Sequence, residues 1–270
     1  MRLLALSDLH VEHGQNREGL EALAPHPDDW LILGGDVSDS LAGLAWTLDT
    51  LGPKFARLLW VPGNHELWTG TAAGEQARGV ARYQQLVDVC RARGVLTPED
   101  EYVEWPGEQP LRIALLFLLY DYTFAPDDHN GRQLALAWAA EQGIRAVDEV
   151  RLHPDPYPSR EAWCAARVTD TEARLARAAA THELVLVNHW PLREDVLRLG
   201  GVPRYSPWCG TQATRDWHAR FRAVACVHGH SHVRASDMRD GVRFEEVSLG
   251  YPAHWDAGRG VAPYLRRILG

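Results

Sequence analysis

Short clusters of histidine, aspartate and asparagine recur along the sequence, and each cluster directly follows an apolar run. The clusters read SDLH, GGDVSD, GNHE, NHWP and HGHSH. Together they contribute Asp8, His10, Asp36, Asp39, Asn64, His65, Glu66, His189, His228, His230 and His232. Imidazole, carboxylate and amide groups without thiolates suit Mn, Fe, Zn or Mg better than a structural zinc ion bound by cysteines. The clusters therefore predict a metal site with nitrogen and oxygen ligands.

Each cluster taken alone also has a purely structural interpretation. The PGN sequence that contains Asn64 is a turn former in any fold. A lone Asp8 is more often a helix cap, and a lone His189 is more often a packing residue. The joint pattern favours a site, because turn chemistry alone does not explain why five separate strand ends each deliver nitrogen or oxygen ligands.

Short apolar runs alternate with longer segments of helical periodicity. Strands are predicted at residues 2–7, 30–36, 56–61, 111–119, 184–188 and 223–229, before a hairpin whose turn is Asp240-Gly241. Helices are predicted at residues 41–52, 75–94, 132–142 and 159–180. This alternation indicates an α/β architecture, in which the carboxyl ends of parallel strands meet at one edge where ligands bind. We therefore expect the five clusters to lie side by side.

Length and composition indicate the kind of protein that holds this site. The 270 residues, 46% hydrophobic and 24% charged, predict one domain over residues 1–270, with insertions at 121–159 and 193–218 that cover the site. A net charge of -8 disfavours a nucleic-acid partner. Four scattered cysteines, an N-terminus without a signal peptide and the lack of a membrane-length apolar run predict a cytoplasmic protein with no membrane partner.

The series D-x-H, G-D-x-x-D, G-N-H-E, a lone histidine and G-H-x-H resembles the motif order of the calcineurin-like metallophosphoesterase superfamily, and of its bacterial small phosphoesterases in particular. The motifs extend from Asp8 to His232, which is nearly the whole chain. The resemblance implies a β-sandwich flanked by helices, a four-layer α/β/β/α fold with the site at the carboxyl ends of the strands. It also implies an enzyme, a metal-dependent hydrolase of phosphate esters.

The same resemblance implies two divalent metal ions, with manganese expected first and Fe, Zn, Ni, Co or Mg as alternatives. One ion would be held by Asp8, His10, Asp36 and His232. The other would be held by Asp36, Asn64, His189 and His230. The shared carboxylate of Asp36 would partly cancel the repulsion between two cations about 3.5–4 Å apart. A hydroxide bridging the two ions is expected to attack phosphorus.

The resemblance gives His65 a catalytic role without metal coordination. A protonated imidazole at this position would stabilise the charge of the transition state or protonate the leaving oxygen. Asp39, three residues after the bridging carboxylate, is the expected partner that orients the ring. Glu66 is the alternative partner.

The sequence departs from the Ser/Thr protein phosphatases of the superfamily, because Ser40 and Pro62 occupy the places of two phosphate-clamping arginines. The first hypothesis is therefore a phosphatase whose substrate is a small-molecule phosphate ester. The alternative is a phosphodiesterase acting on cyclic nucleotides or nucleic-acid ends, although NHWP matches the His-His-Pro-Pro motif of cyclic-nucleotide phosphodiesterases only in part. A binding or scaffolding module on the same fold is disfavoured, because the ligand set is complete.

Substrate contacts are expected from the two insertions. Tyr122 follows a predicted strand in the first of them. Arg204, Tyr205 and Trp208, in the second, place a cation among aromatic rings that could stack a base or bind a distal phosphate. Aromatic residues in proline-rich loops more often anchor the loop to the core, and this alternative stays open for all four residues. The SLGYPAH segment near the C-terminus is a weaker candidate.

Overall fold

Two β-sheets form the centre of the fold. The computed structural model describes residues 1–70, 72–107 and 109–270. Within these ranges the strands are β1 (Leu3–Leu6), β2 (His26–Leu33), β3 (Phe55–Trp60), β4 (Val103–Glu104), β5 (Leu111–Leu115), β6 (Glu183–Val187), β7 (Ala223–His228), β8 (Ala235–Arg239), β9 (Val242–Glu246) and β10 (Arg266–Leu269). The α-helices are α1 (Gly14–Glu21), α2 (Leu41–Leu51), α3 (Asn64–Leu67), α4 (Gly79–Arg91), α5 (Arg132–Ala140), α6 (Asp148–Arg151), α7 (Arg160–Ala179) and α8 (Trp217–Arg220).

Most strands of both sheets run parallel. The first sheet has the strand order β10-β1-β2-β3, and the second has the order β4-β5-β6-β7-β9-β8. Only β10, β4 and β8, all edge strands, are antiparallel to their described neighbours. An isolated parallel bridge between Ser7 and Ser248 connects the end of β1 to the end of β9. The carboxyl ends of the parallel strands of both sheets therefore meet in one region.

Alternation along the strands explains why the sheets pack face to face. In β1, Leu3 and Ala5 belong to the apolar cluster between the two sheets, whereas Leu4 and Leu6 belong to the cluster beneath α2 and α4. Successive side chains of a strand point to opposite faces, so an all-apolar strand is buried on both. Helices α7 and α8 cover the outer face of the second sheet. The result is the predicted four-layer arrangement of helices, sheet, sheet and helices.

Strand β5 is shorter than the sequence predicts. It ends at Leu115 rather than at residue 119, although residues 116–119 stay buried. The reason is a change of hydrogen-bond partner, because the backbone N–H of Leu118 donates to Oδ1 of Asn188 at 3.0 Å instead of to a neighbouring strand. The four predicted helices correspond to α2, α4, α5 and α7, with α4 beginning at Gly79 instead of residue 75.

The two predicted insertions contact each other beside the strand ends. Ser206 Oγ donates to the backbone oxygen of Phe124 at 2.7 Å, and Thr211 Oγ1 donates to Asp121 Oδ2 at 2.7 Å. Residues 121–159 and 193–218 are therefore joined by side-chain hydrogen bonds. Among all the helices in the described ranges, none is long and apolar enough to cross a membrane.

Candidate metal centre

The strand ends bring the predicted metal ligands together in two groups of side chains. In each group the candidate ligand atoms lie within 4.8 Å of one another. The first group contains Asp8, His10, Asp36 and His232, and the second contains Asp36, His189 and His230. Asn64 adjoins the second group, with its Oδ1 3.1 Å from Nδ1 of His230. Asp36 is common to both groups, which is the position that a bridging carboxylate requires.

Five candidate ligands have a strained backbone. Their φ angles are positive: Asp8 54°, His10 42°, Asp36 51°, His230 73° and His232 53°. Residues with a side chain rarely adopt this left-handed region, and each such conformation costs about 1–3 kcal/mol. Strain of this kind persists where the surrounding structure holds it in place, and it clusters at functional sites. The left-handed backbone at these strand ends therefore accompanies the convergence of the candidate ligand side chains.

Two glycines allow the loops to approach one another closely. A Cβ atom on Gly63 would overlap the Asp36 carboxylate, so no other residue fits there without a shift. Gly35 has a φ of 91°, and a Cβ atom on it would lie 2.6 Å from Nδ1 of His189. The turn formers of the GGD and PGN sequences thus provide both the turn and the space around the candidate ligands.

Glu66 is fully buried and connects two of the ligand loops. Its carboxylate accepts hydrogen bonds from the backbone N–H groups of Asp36 at 2.9 Å and Val37 at 2.8 Å in one loop. It also accepts one from Gly63 at 2.9 Å in the next loop. The carboxylate predicted as the alternative partner of His65 is therefore engaged with the backbone.

We expect Glu66→Gln to lower the free energy of unfolding by about 1–3 kcal/mol, because a buried donor that loses its acceptor costs this much. A glutamine offers one acceptor oxygen to three N–H groups, and its own NH₂ group must face some of them. Urea unfolding of the chelator-treated protein measures the change. Glu101→Gln, at an exposed glutamate, is the matched control. Equal free energies of unfolding for the two variants would contradict the role of Glu66 in connecting the two ligand loops.

Two of the four candidate ligand histidines are held in the neutral form that metal coordination requires. Burial lowers the pKa of His10 and of His230, each to about 3, so both imidazoles are neutral. Nε2 of His230 is buried and has no hydrogen-bond partner among the described residues. Nδ1 of His189 lies 2.9 Å from the carbonyl oxygen of Gly34, which can only accept, and Nε2 lies 3.4 Å from the Asp36 carboxylate. These donors fit divalent cations.

Asp148 is a residue of the centre that the sequence did not reveal. It is fully buried at the start of α6 and accepts hydrogen bonds from Asn64 Nδ2 at 3.1 Å and from Trp68 Nε1 at 2.7 Å. By accepting from the amide N–H, the carboxylate leaves Oδ1 of Asn64 on the side of His230. No motif surrounds Asp148 in the sequence, and only the folded insertion brings it to this place.

His65 lies beside both groups. Its Nδ1 is 2.7 Å from Oδ1 of Asp39, and its Nε2 is 3.9 Å from Oδ2 of Asp36. The ring also packs on Trp68, with 3.7 Å between the centroids. Burial alone would lower the pKa of His65, but the charge of Asp36 and the hydrogen bond with Asp39 raise it to about 9. In the metal-free protein the imidazole is therefore cationic at neutral pH.

A cavity of about 280 Å³ opens over the two groups. Its lining consists of Asp36, Asn64, His65, Leu199, Val202, Tyr205, His230, Ser231, His232, Tyr251 and His254. Among the described residues that line it there is neither a lysine nor an arginine. A larger cavity of about 700 Å³ lies elsewhere, among ion-paired side chains such as Arg193 and Asp195, and contains none of the candidate ligands.

Two tyrosines in this lining stack on candidate ligands, one in each group. The ring of Tyr205 lies 6.0 Å from that of His230, and the ring of Tyr251 lies 4.4 Å from that of His10. Tyr205 is one of the four predicted substrate contacts. Tyr251 belongs to the SLGYPAH segment, the weaker candidate in the sequence. Both are placed where they could touch a bound ester.

The structure places the other three predicted substrate contacts outside the cavity lining. Tyr122 and Trp208 are buried and donate hydrogen bonds to Glu149, at 2.8 Å and 2.9 Å. Arg204 forms an ion pair with Glu141. These contacts lie within and between the two insertions, in agreement with the anchoring alternative that the sequence left open.

The sequence profile of the family described as "Calcineurin-like phosphoesterase" matches residues 1–234. The chain belongs to this family. It is 46% identical, over 271 residues, to the acyl-carrier-protein phosphodiesterase PptH of Mycobacterium tuberculosis, covering 99% of this chain and 83% of that protein. The crystal structure of the phosphopantetheinyl hydrolase PptH from the same organism matches with a TM-score of 0.93 and 46% identity, covering 99% of this chain and 95% of the other.

These similarities confirm three of the sequence predictions. The family is the one that the motif series resembles, and the four-layer fold is that of the solved relative. As a member of this family the protein is a metal-dependent phosphoesterase, an enzyme that hydrolyses phosphate esters. The two groups of carboxylates and imidazoles give this phosphoesterase a place to bind divalent metal ions.

Proposed function

We propose that this phosphoesterase hydrolyses the phosphodiester that links phosphopantetheine to a serine of an acyl carrier protein. The relative of 46% identity is named as an acyl-carrier-protein phosphodiesterase and, in its crystal structure, as a phosphopantetheinyl hydrolase. The observation that carries the proposal is the lining of the cavity over the two ligand groups. Beyond the candidate ligands that lining combines two aliphatic residues and two tyrosines with His65, Ser231 and His254, and its described residues include no lysine or arginine.

This lining favours a diester over a monoester. A phosphate monoester carries about 1.5–2 negative charges at pH 7, whereas a diester carries one. The superfamily's protein phosphatases meet the dianion with arginines at the places that Ser40 and Pro62 occupy here. A diester has instead a second organic arm, which apolar side chains such as Leu199, Val202 and Tyr251 can contact. Of the two substrate hypotheses from the sequence, the phosphodiesterase therefore fits better, with a protein-attached ester.

For the metal content we propose two divalent cations, with manganese as the first candidate. Nitrogen and oxygen donors without thiolates also admit Fe, Zn, Ni, Co or Mg. The proposed ligands are Asp8, His10, Asp36 and His232 for one ion, and Asp36, Asn64, His189 and His230 for the other. When bound, the two cations would neutralise charge on the phosphate oxygens and lower the pKa of the attacking water.

The chain's own residues hold these donors in position. Ser248 Oγ donates to Oδ2 of Asp8 at 2.7 Å, and Ser7 Oγ donates to the same oxygen at 2.5 Å. These two hydroxyl groups restrain the direction of the Asp8 carboxylate. Replacing a residue that hydrogen-bonds to a metal ligand typically lowers metal affinity or activity by about 10–100-fold.

We propose His65 as the general acid. Asp39 occupies Nδ1 and favours the cationic ring, and the packing of Trp68 restrains its orientation. The proton on Nε2 then passes to the serine oxygen as the phosphorus–oxygen bond to serine breaks. Water supplies the new oxygen on phosphorus. The products are free phosphopantetheine and the unmodified carrier protein.

Intact-mass spectrometry of a phosphopantetheinylated carrier protein tests this proposal. With Mn²⁺ and the enzyme we expect the carrier protein to lose the mass of phosphopantetheine. Free phosphopantetheine should appear in solution. Chelator-treated enzyme is the control and should leave the carrier unchanged. An unchanged carrier with the metal-loaded enzyme would contradict the proposal. So would release of pantetheine with the phosphate left on serine.

A further inference from the structure

A second cavity, of about 310 Å³, lies next to the candidate metal centre. We call it the arm groove. Its walls come from both insertions and include Phe124, Trp138, Leu197, Leu199 and Pro203. Its volume is at the lower end of the roughly 300–1,000 Å³ that small-molecule sites occupy.

The arm groove and the cavity over the metal centre meet at one short segment. Leu199 lines both, Val202 lines only the metal cavity, and Gly200 lines only the groove. A Cβ atom on Gly200 or Gly201 would meet no atom within 4 Å. The two spaces therefore adjoin at Leu199, and the two residues that follow Leu199 carry no side chain that could fill either space.

The lining of the groove suits an uncharged chain. Phe124, Trp138 and Leu197 offer apolar and aromatic surface, and the hydroxyl of Ser206 is already bonded to a backbone oxygen. The one ionisable side chain in the described lining is the carboxylate of Glu194. That carboxylate repels a second phosphate or a nucleotide. The groove is also far too small for a protein surface, which would need about 800 Å² per partner.

We infer that the pantetheine arm of the substrate binds in the arm groove, with its phosphate over the two ligand groups. This inference rests on the proposed function. Pantetheine is an uncharged chain of two amides, a branched hydrocarbon segment and a thiol, so it brings no charge next to the Glu194 carboxylate. The carrier protein then stays outside, on the serine side of the phosphate. The insertions thereby select which ester reaches the metal centre.

The first test is Leu197→Trp, which fills the groove at a residue outside the metal cavity. We compare kcat/KM for phosphopantetheinyl carrier protein with kcat/KM for methyl 4-nitrophenyl phosphate, whose alkyl arm is one methyl group. We expect the ratio of the two to fall by about tenfold or more, through KM, because a filled pocket rejects the arm. Leu134→Trp, at an exposed leucine of α5, is the matched control and should leave the ratio unchanged.

An unchanged ratio in a folded Leu197→Trp variant would overturn the inference while leaving the proposed function intact. Failure of the wild-type enzyme to hydrolyse the carrier protein, with turnover of the methyl ester, would overturn both. A second measurement needs no variant. The wild-type enzyme is given two phosphodiesters of a serine peptide, one with pantetheine and one with methanol as the second alcohol. We expect kcat/KM to be higher for the pantetheine diester by about tenfold or more. Equal kcat/KM values would also overturn the inference.

Discussion

Asp36→Asn is expected to abolish hydrolysis and to prevent both candidate metal sites from filling. Asp36 is the only described side chain common to the two ligand groups, and its Oδ2 lies 3.4 Å from Nε2 of His189. A neutral amide cannot offset the repulsion between two close cations, so we expect kcat/KM to fall by about a thousandfold or more. Elemental analysis of the reconstituted protein and a diesterase assay measure the two effects.

This substitution separates charge from backbone strain. Asparagine tolerates the left-handed conformation that Asp36 adopts, so the loop should keep its shape. Asp28→Asn, the same chemical change at an exposed position of β2, is the matched control and should keep both metals and activity. Two metal ions per chain with normal turnover in Asp36→Asn would show that the bridging position is misassigned.

His65→Gln is expected to lower turnover by about 10²–10⁴-fold, the range that general acid–base catalysis contributes. The metal content should stay that of the wild type, because His65 is not a member of either ligand group. A glutamine can still bond to Asp39 but cannot carry the transferable proton. The loss should be smaller for a nitrophenolate leaving group than for a serine oxygen, since a nitrophenolate needs less protonation.

His182→Gln is the matched control for this variant, at a histidine remote from the candidate ligands that hydrogen-bonds to Thr181. We expect it to behave as the wild type with both substrates. Loss of metal from His65→Gln would instead make His65 part of the metal centre. An equal loss of turnover with both leaving groups would show that His65 is not the proton donor.

Much of the fold could be predicted because its strands are short apolar runs that end in glycine and polar residues. Leu3 and Ala5 face one side of the first sheet and Leu4 and Leu6 the other, so the whole strand reads as apolar. The error at the end of β5 has a physical origin. Residues 116–119 are as apolar as a strand, but a side chain of another segment, Asn188, takes over the backbone hydrogen bond.

The candidate ligands could be predicted because each one directly follows a strand, and parallel strands bring their ends together. Asp148 and Tyr251 could not be placed in this way, since they reach the centre from an insertion and from the C-terminal segment. The contacts of Tyr122 and Trp208 also could not be predicted from the sequence. Their shared acceptor, Glu149, is remote from Trp208 in the sequence, so no local pattern separates an anchor from a substrate contact.

The ratio of diesterase to monoesterase activity in the metal-reconstituted enzyme tests the proposed diester hydrolysis most directly. Methyl 4-nitrophenyl phosphate and 4-nitrophenyl phosphate release the same chromophore and differ by one methyl group and one charge. The described residues that line the metal cavity include no lysine or arginine, which favours the diester. We expect kcat/KM for the diester to exceed that for the monoester by about tenfold or more. A higher kcat/KM for the monoester would contradict the proposed diester hydrolysis and favour the phosphatase hypothesis.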